Sequence, residues 1–257
     1  MARLTVVENK AAMSEAAAGR ITTLIEAAVA SRGMAAVSLT GGSTPDLLYQ
    51  LLADPRRPWR QRIDWERLHL FWGDEREVPP DHPESNYGLA HRLLLQHVMI
   101  PDTQIHRMRG ELPASDAGRL YDAVLRARRD QTAGPLFDVM LLGIGENAHI
   151  ASIFPESPLL LGGADLSGPR EWLLAAGVAV PELGTWRITM TPAALLDSAA
   201  IVMIAAEGSK ADAVAAAIEG PLDVPRYPAQ LLREAGERVE WIIDSAAAAR
   251  LRAAPRA

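Results

Sequence analysis

Two short runs of this chain are apolar on both faces, and they restrict its possible folds more than any other feature. They are FDVMLLG at Phe137–Gly143 and AIVMIA at Ala200–Ala205. Burial of both faces is typical of central strands in a parallel sheet, because helices cover both sides of such a sheet. We therefore expect these runs to lie in the middle of a sheet.

Further apolar runs alternate with helical patterns along the chain. The other predicted strands are Leu4–Val7, Ala35–Thr40, Leu68–Trp72, Leu173–Val178, Arg187–Thr191 and Val239–Asp244. The predicted helices are Ala11–Ser31, Pro45–Leu52, Glu84–Val98, Ser115–Arg129 and Ser209–Glu219. This alternation predicts an α/β fold with a mostly parallel sheet flanked by helices, in a modified Rossmann-like arrangement.

No internal repeat or low-complexity linker divides the sequence, so we expect one domain over residues 1–257. Pro45 follows Ser43 and Thr44, as at the start of a capped helix. Surface loops are expected at Pro55–Pro58, Pro79–Pro83 and Gly162–Pro169, with frayed residues at Arg250–Ala257.

Composition excludes several classes of function. The chain has 26 Lys and Arg against 32 Asp and Glu, a net charge of -6, which argues against a nucleic-acid partner. It has no cysteine, so disulfides, thiolate metal sites and a cysteine nucleophile are excluded. No signal peptide or run long enough to span a bilayer is recognisable, so we expect no membrane association and a cytoplasmic location.

A glycine-rich turn follows the strand that ends at Thr40. Gly41 and Gly42 let backbone N–H groups approach a ligand, and Ser43 and Thr44 add hydroxyl donors. With a helix N-terminus beside them, these groups favour a bound phosphate. The alternative is a tight strand-to-helix turn with a Ser or Thr cap.

Charged residues lie at the ends of three other predicted strands. Asp74 and Arg76 could position a polyol or a carboxylate, or they could belong to an ion-pair network that holds the loop. Arg187 and Lys210 could reach one shared anion, although a single such cation is more often a solvated surface charge.

His149 is the strongest candidate for a catalytic residue. It lies two residues beyond Asn147, after a Gly-x-Gly turn that ends a predicted central strand. A neutral imidazole can accept a proton from water near neutral pH, and Asn147 could bind the ring or the substrate. The other histidines are expected to be mostly exposed or capping, without metal-ligand spacing: His69, His82, His91, His97 and His106.

Several separated segments resemble the glucosamine-6-phosphate isomerase/6-phosphogluconolactonase family, and 6-phosphogluconolactonases in particular. They are SLTGGSTP at 38–45, FWGDER at 71–76, VP at 78–79, HPESNY at 82–87, GIG at 143–145, His149, ASIFP at 151–155, RITMT at 187–191, GSK at 208–210 and WIID at 241–244. The resemblance extends over nearly the whole chain and in the same order.

This resemblance implies hydrolysis of 6-phospho-D-glucono-1,5-lactone to 6-phosphogluconate, a step of the oxidative pentose phosphate pathway. It implies catalysis by His149, a substrate pocket lined by Arg76, and no metal or other cofactor. It also implies phosphate contacts from Gly42, Ser43, Thr44, Arg187 and Lys210. The only partner it implies is a small sugar phosphate, and a monomer or weak homodimer is expected.

The chain departs from the family at one point of the site. The family usually reads Asp-Gly-His where this chain has Asn147-Ala148-His149. Asn147 can form hydrogen bonds but cannot carry the charge that would stabilise an imidazolium. A positive φ at Ala148 would carry a modest energetic cost.

Three hypotheses follow. In the first, His149 activates water for attack on the lactone carbonyl, and backbone N–H groups near Gly143–Gly145 bind the oxyanion. The second is a deaminase-like isomerase of glucosamine 6-phosphate, which is disfavoured by Arg76 in place of a tyrosine and by ASIFP after the histidine. The third is a weakly active sugar-phosphate binder.

Overall fold

The computed structural model describes residues 2–160 and 173–252. Its strands are β1 (Arg3–Val7), β2 (Ala35–Leu39), β3 (Leu68–Trp72), β4 (Asp74–Arg76), β5 (Ile105–His106), β6 (Phe137–Gly143), β7 (Ala175–Val180), β8 (Thr185–Met190), β9 (Ser198–Ala205) and β10 (Val239–Asp244). Its α-helices are α1 (Lys10–Arg32), α2 (Asp46–Ala53), α3 (Pro58–Arg62), α4 (Asn86–Leu93), α5 (Ala114–Gln131), α6 (Pro192–Leu196) and α7 (Ala211–Ile218). The predicted loop Gly162–Pro169 and the end of the predicted tail lie outside the described residues.

Seven strands form one parallel sheet in the order β1-β10-β9-β6-β2-β3-β5. The predicted fold class is thereby confirmed. From β2 the chain moves outwards through β3 to β5, and from β6 it moves the other way through β9 to β10. The direction therefore reverses between β2 and β6, which is where open α/β sheets bind their ligands.

The central strand β6 contributes to the core on both sides of the sheet. Met140 and Leu142 belong to one buried cluster, whereas Val139 and Leu141 belong to the other. All four side chains are at most 1% exposed. Helix α1 packs in the second cluster through Met13, Ala17, Ile21 and Ile25, and α5 packs in the first through Ala114, Ala117, Tyr121 and Leu125. The two-sided apolar pattern of the sequence has this physical cause.

A second, antiparallel sheet of three strands in the order β4-β8-β7 was not predicted. The runs expected at Leu173–Val178 and Arg187–Thr191 do contain strands, but these belong to the small sheet. Gly73 connects the two sheets, since its N–H donates to Leu39 O at 3.0 Å and its carbonyl accepts from Met190 N at 2.8 Å. The chain thus passes directly from β3 into β4, where a loop was expected.

The helices α4 and α2 start in different ways. Ser85 caps α4, because its side chain accepts from the Gly88 N–H. Neither Ser43 nor Thr44 caps α2; the cap position is Pro45, and no side chain forms the capping hydrogen bond there. Neither hydroxyl is used to cap the helix, which is what a phosphate-binding turn requires.

Among the described residues, no helix is both long and apolar enough to cross a membrane.

Candidate active site

A cavity of about 510 Å³ lies at the carboxyl end of the parallel sheet, where β2 and β6 are neighbours. Its walls come from the loops after β2, β6 and β9, from β4 and the start of α4, and from the segment between β7 and β8. They include Thr40, Gly41, Gly42, Ser43, Thr44, Asp74, Arg76, Asn86, Gly143, Gly145, Glu146, Asn147, His149, Phe154, Glu182, Leu183 and Lys210. Every predicted site residue except Arg187 is in this set.

The turn after β2 lies close to α4 because residue 41 has no side chain. A Cβ on Gly41 would come within 1.7 Å of the Asn86 side chain. Gly42 follows with φ 81°, a backbone conformation that favours glycine. Ser43 is exposed to the cavity, so the backbone and hydroxyl groups of this turn can face a ligand.

The two acidic residues after β3 have different roles. The buried carboxylate of Glu75 accepts the backbone N–H groups of Arg76, Asn86 and Tyr87 at 2.7–2.9 Å, so it fixes the start of α4. The carboxylate of Asp74 accepts from Ser152 Oγ at 2.6 Å and from Asn86 Nδ2 at 3.1 Å, and it lines the cavity. Glu75 therefore holds the loop, whereas Asp74 can meet a substrate.

Two of the three predicted cations line the cavity. Lys210 follows β9, and its Nζ lies 3.8 Å from Glu146 Oε1. Arg76 donates from Nη1 to the Glu84 carbonyl. Arg187 is not among the described lining residues; its Nη1 donates to Thr185 Oγ1 at 3.0 Å and to the Trp186 carbonyl at 3.1 Å. In the backbone register of β4 and β8, Arg187 lies opposite Arg76, so its charge still lies next to the site.

The imidazole of His149 is held from three sides. Its Nδ1 lies 2.7 Å from Asn147 Oδ1, and its ring stacks on Phe154 with centroids 4.1 Å apart. A Cβ at Gly145 would come within 2.1 Å of the ring, so the ring packs directly on that backbone. Since a carbonyl oxygen can only accept, Nδ1 carries the proton and Nε2 keeps its lone pair.

The surroundings of His149 keep the ring neutral. Burial lowers the pKa of His149 to about 4. The carboxylate of Asp74 opposes this change, whereas the charges of Lys210, Arg76 and Arg187 add to it. At neutral pH the ring is therefore a free base, which is the form that accepts a proton.

The loop that carries His149 has an unusual backbone. Ala148 has φ 64°, which confirms the positive φ considered from the sequence, and Ala151 has φ 47°. The Gly145 N–H donates to the His149 carbonyl at 2.9 Å, so it is not free to bind an oxyanion as the sequence had suggested. The chain forms a tight turn at this point, and the side chain of His149 lines the cavity.

Several residues of the site were not singled out for a site role by sequence reasoning. Asn86 donates from its side-chain amide to the Asp74 carbonyl at 2.9 Å and to Asp74 Oδ1 at 3.1 Å. The carboxylate of Glu182 accepts a hydrogen bond from Asn147 Nδ2 at 3.2 Å. Neither Ser152 nor Phe154 was assigned a role, although both belong to the ASIFP segment that follows the histidine. The contacts of Asn86, Glu182 and Ser152 cross between elements, which no local pattern reveals. Phe154 instead stacks on His149, five residues earlier in the same loop.

Two other histidines form a pair instead of lying separately. His69 Nδ1 and His106 Nε2 are 3.0 Å apart on neighbouring strands, and both rings are half-buried. The expectation that most of the other histidines are exposed or capping therefore does not extend to these two rings. In the part of the chain that the structure describes, no three His, Asp or Glu side chains are grouped as metal ligands.

Comparisons with known proteins agree with the geometry. Residues 8–241 match the family model of glucosamine-6-phosphate isomerases/6-phosphogluconolactonase. The chain is 35% identical over 254 residues to a 6-phosphogluconolactonase of Synechocystis, with 97% of this chain and 98% of the relative covered. It is 40% identical over 247 residues to a 6-phosphogluconolactonase of Mycobacterium tuberculosis, with 92% and 93% covered.

A solved structure of 6-phosphogluconolactonase from Trypanosoma brucei superposes with a TM-score of 0.79 at 26% identity, covering 98% of this chain and 99% of that one. Sequence and fold thus point to the same relatives over nearly the full length. The chain belongs to the glucosamine-6-phosphate isomerase/6-phosphogluconolactonase family.

Proposed function

We propose that this protein hydrolyses 6-phospho-D-glucono-1,5-lactone to 6-phosphogluconate. The observation that carries the proposal is a neutral histidine with a free Nε2 in a cavity that also holds a glycine-rich turn and two cations. Relatives with 35% and 40% identity bear the name of this enzyme. The reaction belongs to the oxidative pentose phosphate pathway.

The phosphate is proposed to bind at Gly41, Gly42, Ser43 and Thr44, with Lys210 as its counter-charge. Backbone N–H groups before a helix start and a nearby ammonium group suit a dianion. Arg187 would strengthen the positive field without direct contact in the conformation described. Binding at this end of the cavity holds the sugar ring in place for a reaction at its other end.

His149 is proposed to take a proton from water through Nε2 while the water oxygen attacks C1 of the lactone. Asn147 keeps the other nitrogen protonated. The imidazolium then returns its proton to the ring oxygen that leaves C1, so the histidine ends as it began. Asp74 and Arg76 would bind hydroxyl groups of the sugar. General acid–base help of this kind accelerates reactions by roughly 10²–10⁴-fold.

The test is a coupled assay at controlled pH with freshly made lactone, in which 6-phosphogluconate is measured and the uncatalysed rate is subtracted. His149→Ala should lose about 10²–10⁴-fold in kcat and still bind 6-phosphogluconate. His91→Ala changes an exposed histidine on α4 and serves as the matched control.

Each alternative has its own outcome in the same assay. Lactone opening at the spontaneous rate, with 6-phosphogluconate bound, would leave only a sugar-phosphate binder. Ammonia release from glucosamine 6-phosphate would assign the deaminase-like reaction. Unchanged turnover in His149→Ala would remove this histidine from the mechanism. A single domain over residues 1–257, a cytoplasmic location and a monomer or weak homodimer stay predictions.

A further inference from the structure

The amide of Asn147 has one orientation that satisfies all its neighbours. Oδ1 accepts from the ring Nδ1 of His149 at 2.7 Å and from the backbone N–H of the same residue at 3.2 Å. Nδ2 donates to Glu182 Oε2 at 3.2 Å. Exchanging the oxygen and nitrogen would place an NH₂ group against an N–H and an oxygen against a carboxylate.

Glu182 reaches Asn147 from a different part of the fold. It lies in the short segment Pro181–Leu183 that joins β7 to β8 in the small sheet, and it lines the same cavity as His149. Its side chain is exposed, so a role in holding the core together is not available to it. The contact with Asn147 connects this exposed acid to the half-buried ring of His149 through a single amide.

We infer that Glu182 is a positioning residue for His149: acting through Asn147, it holds the ring in the Nδ1–H form and places a negative charge behind the imidazolium. Asn147 has no carboxylate, and Glu182 supplies one at a distance of one further hydrogen bond. The part that concerns the imidazolium rests on the proposed hydrolysis, whereas the part that concerns the ring's proton does not.

The expected effect is modest because the carboxylate is exposed and acts across an intervening amide. Solvent screens such a charge, so we expect its loss to change rates and tautomer ratios by about two- to fivefold. An effect of this size is well below the loss expected for removal of His149 itself.

The first test reads the ring directly and needs no activity. ¹⁵N NMR of the imidazole at neutral pH distinguishes a protonated Nδ1 from a protonated Nε2. The wild-type protein should show Nδ1–H, and Glu182→Ala should raise the ratio of the Nε2–H form to the Nδ1–H form by about two- to fivefold. Glu182→Gln should keep the wild-type ratio, because its amide oxygen can still accept from Asn147. Equal ratios in Glu182→Ala and the wild type would overturn the proposal.

The second test is the pH profile of lactone hydrolysis. A carboxylate near an imidazolium favours its charged form, so removing the carboxylate lowers the pKa of the ring. Both Glu182→Ala and Glu182→Gln should therefore move the acid limb of kcat/KM to lower pH and reduce kcat about two- to fivefold with KM unchanged. The other charges that surround the ring stay in place in these variants: Asp74 and Arg76 on β4, Arg187 on β8, Lys210 after β9 and Glu146 in the same loop.

A substrate-binding role for Glu182 would give a different result. KM would then rise while kcat and the acid limb stayed fixed, and that outcome would overturn the inference. Glu66→Gln is the matched control, since it removes an exposed carboxylate before β3, at the opposite edge of the sheet. It should leave kcat, KM and the profile as in the wild type.

The third test is a double-mutant cycle with Asn147→Asp, which puts a carboxylate beside the ring. In that background Glu182→Ala should cost nothing in kcat, because the charge it supplied has been replaced. An equal loss in both backgrounds would show that Glu182 does not act through residue 147. If the wild-type protein shows no lactone hydrolysis, the proposed function fails, and the NMR ratio still decides whether Glu182 positions the ring.

Discussion

His149 owes its proposed role to the way three neighbours hold its ring. Asn147 binds Nδ1, Phe154 stacks on one face, and the bare backbone of Gly145 lies against the ring. Burial lowers the pKa of the imidazole to about 4. The ring is thus a neutral base with its free nitrogen available to the cavity.

Gly145→Ala tests the position of the His149 ring by adding a single methyl group beside it. The new Cβ would lie 2.1 Å from ring atoms of His149, so the ring cannot keep its present position beside Asn147. We expect kcat to fall by about 10²-fold or more, since general base catalysis depends on the position of the lone pair. Stability should fall by about 1–3 kcal/mol, as for other overpacked sites. Steady-state kinetics and thermal unfolding measure the two effects.

Gly143→Ala is the control for the ring position, because nothing lies within 4 Å of the Cβ it would add. The ¹⁵N signals of His149 should stay as in the wild type in this variant and change in Gly145→Ala. An unchanged ring signal in Gly145→Ala would contradict the packing described here.

At the scale of elements, the small sheet depends on a close approach between α5 and β7. A Cβ on Gly118 of α5 would come within 2.3 Å of the Gly177 N atom and 2.6 Å of the Ala176 carbonyl carbon. Both are backbone atoms, which cannot turn aside as a flexible side chain can. The segment that carries Glu182 joins β7 to β8, so this packing also sets the position of the carboxylate.

Gly118→Ala should therefore destabilise the protein although alanine favours a helix by about 1 kcal/mol relative to glycine. We expect a net loss of about 1–3 kcal/mol, which corresponds to a fall in Tm of about 2–12 °C for a chain of this size. Differential scanning calorimetry measures the shift. Gly134→Ala, with no atom within 4 Å of its Cβ, should stay within about 0.5 kcal/mol of the wild type. A Gly118→Ala protein more stable than the wild type would show that α5 can move away from β7.

At the scale of the whole molecule, β6 connects the two halves of the core. Leu142 lies in the cluster on one side of the sheet and Leu141 in the cluster on the other. A substitution that destabilises either cluster therefore also destabilises β6, which contributes side chains to both. This arrangement favours cooperative unfolding of the chain as one domain.

Leu141→Ala and Leu142→Ala should each cost about 2–5 kcal/mol, because both side chains are fully buried and leave a cavity. Both variants should unfold in one transition, with the calorimetric enthalpy equal to the van't Hoff enthalpy as in the wild type. Two separated transitions in either variant would mean that the two sides of the sheet are independent folding units, and the single-domain prediction would be wrong.

Much of this molecule could be predicted from local patterns. Apolar runs such as Phe137–Gly143 identify central strands because burial on both faces removes the regular alternation of apolar and polar side chains. Glycines at 41 and 42 and the histidine at 149 identified the cavity, because parallel strands bring their carboxyl ends to one edge. The sequence therefore determined the fold class, the edge of the sheet that holds the site, and most residues that line it.

The tertiary structure decided the rest. Pairing of β4 with β8 in a second sheet and the contact of Glu182 with Asn147 each join segments far apart in the chain. Such contacts depend on how elements pack, and no periodicity or motif within one segment encodes them. Residue types alone thus supplied the chemical groups of the site, whereas packing between elements chose which of those groups meet and in which protonation state.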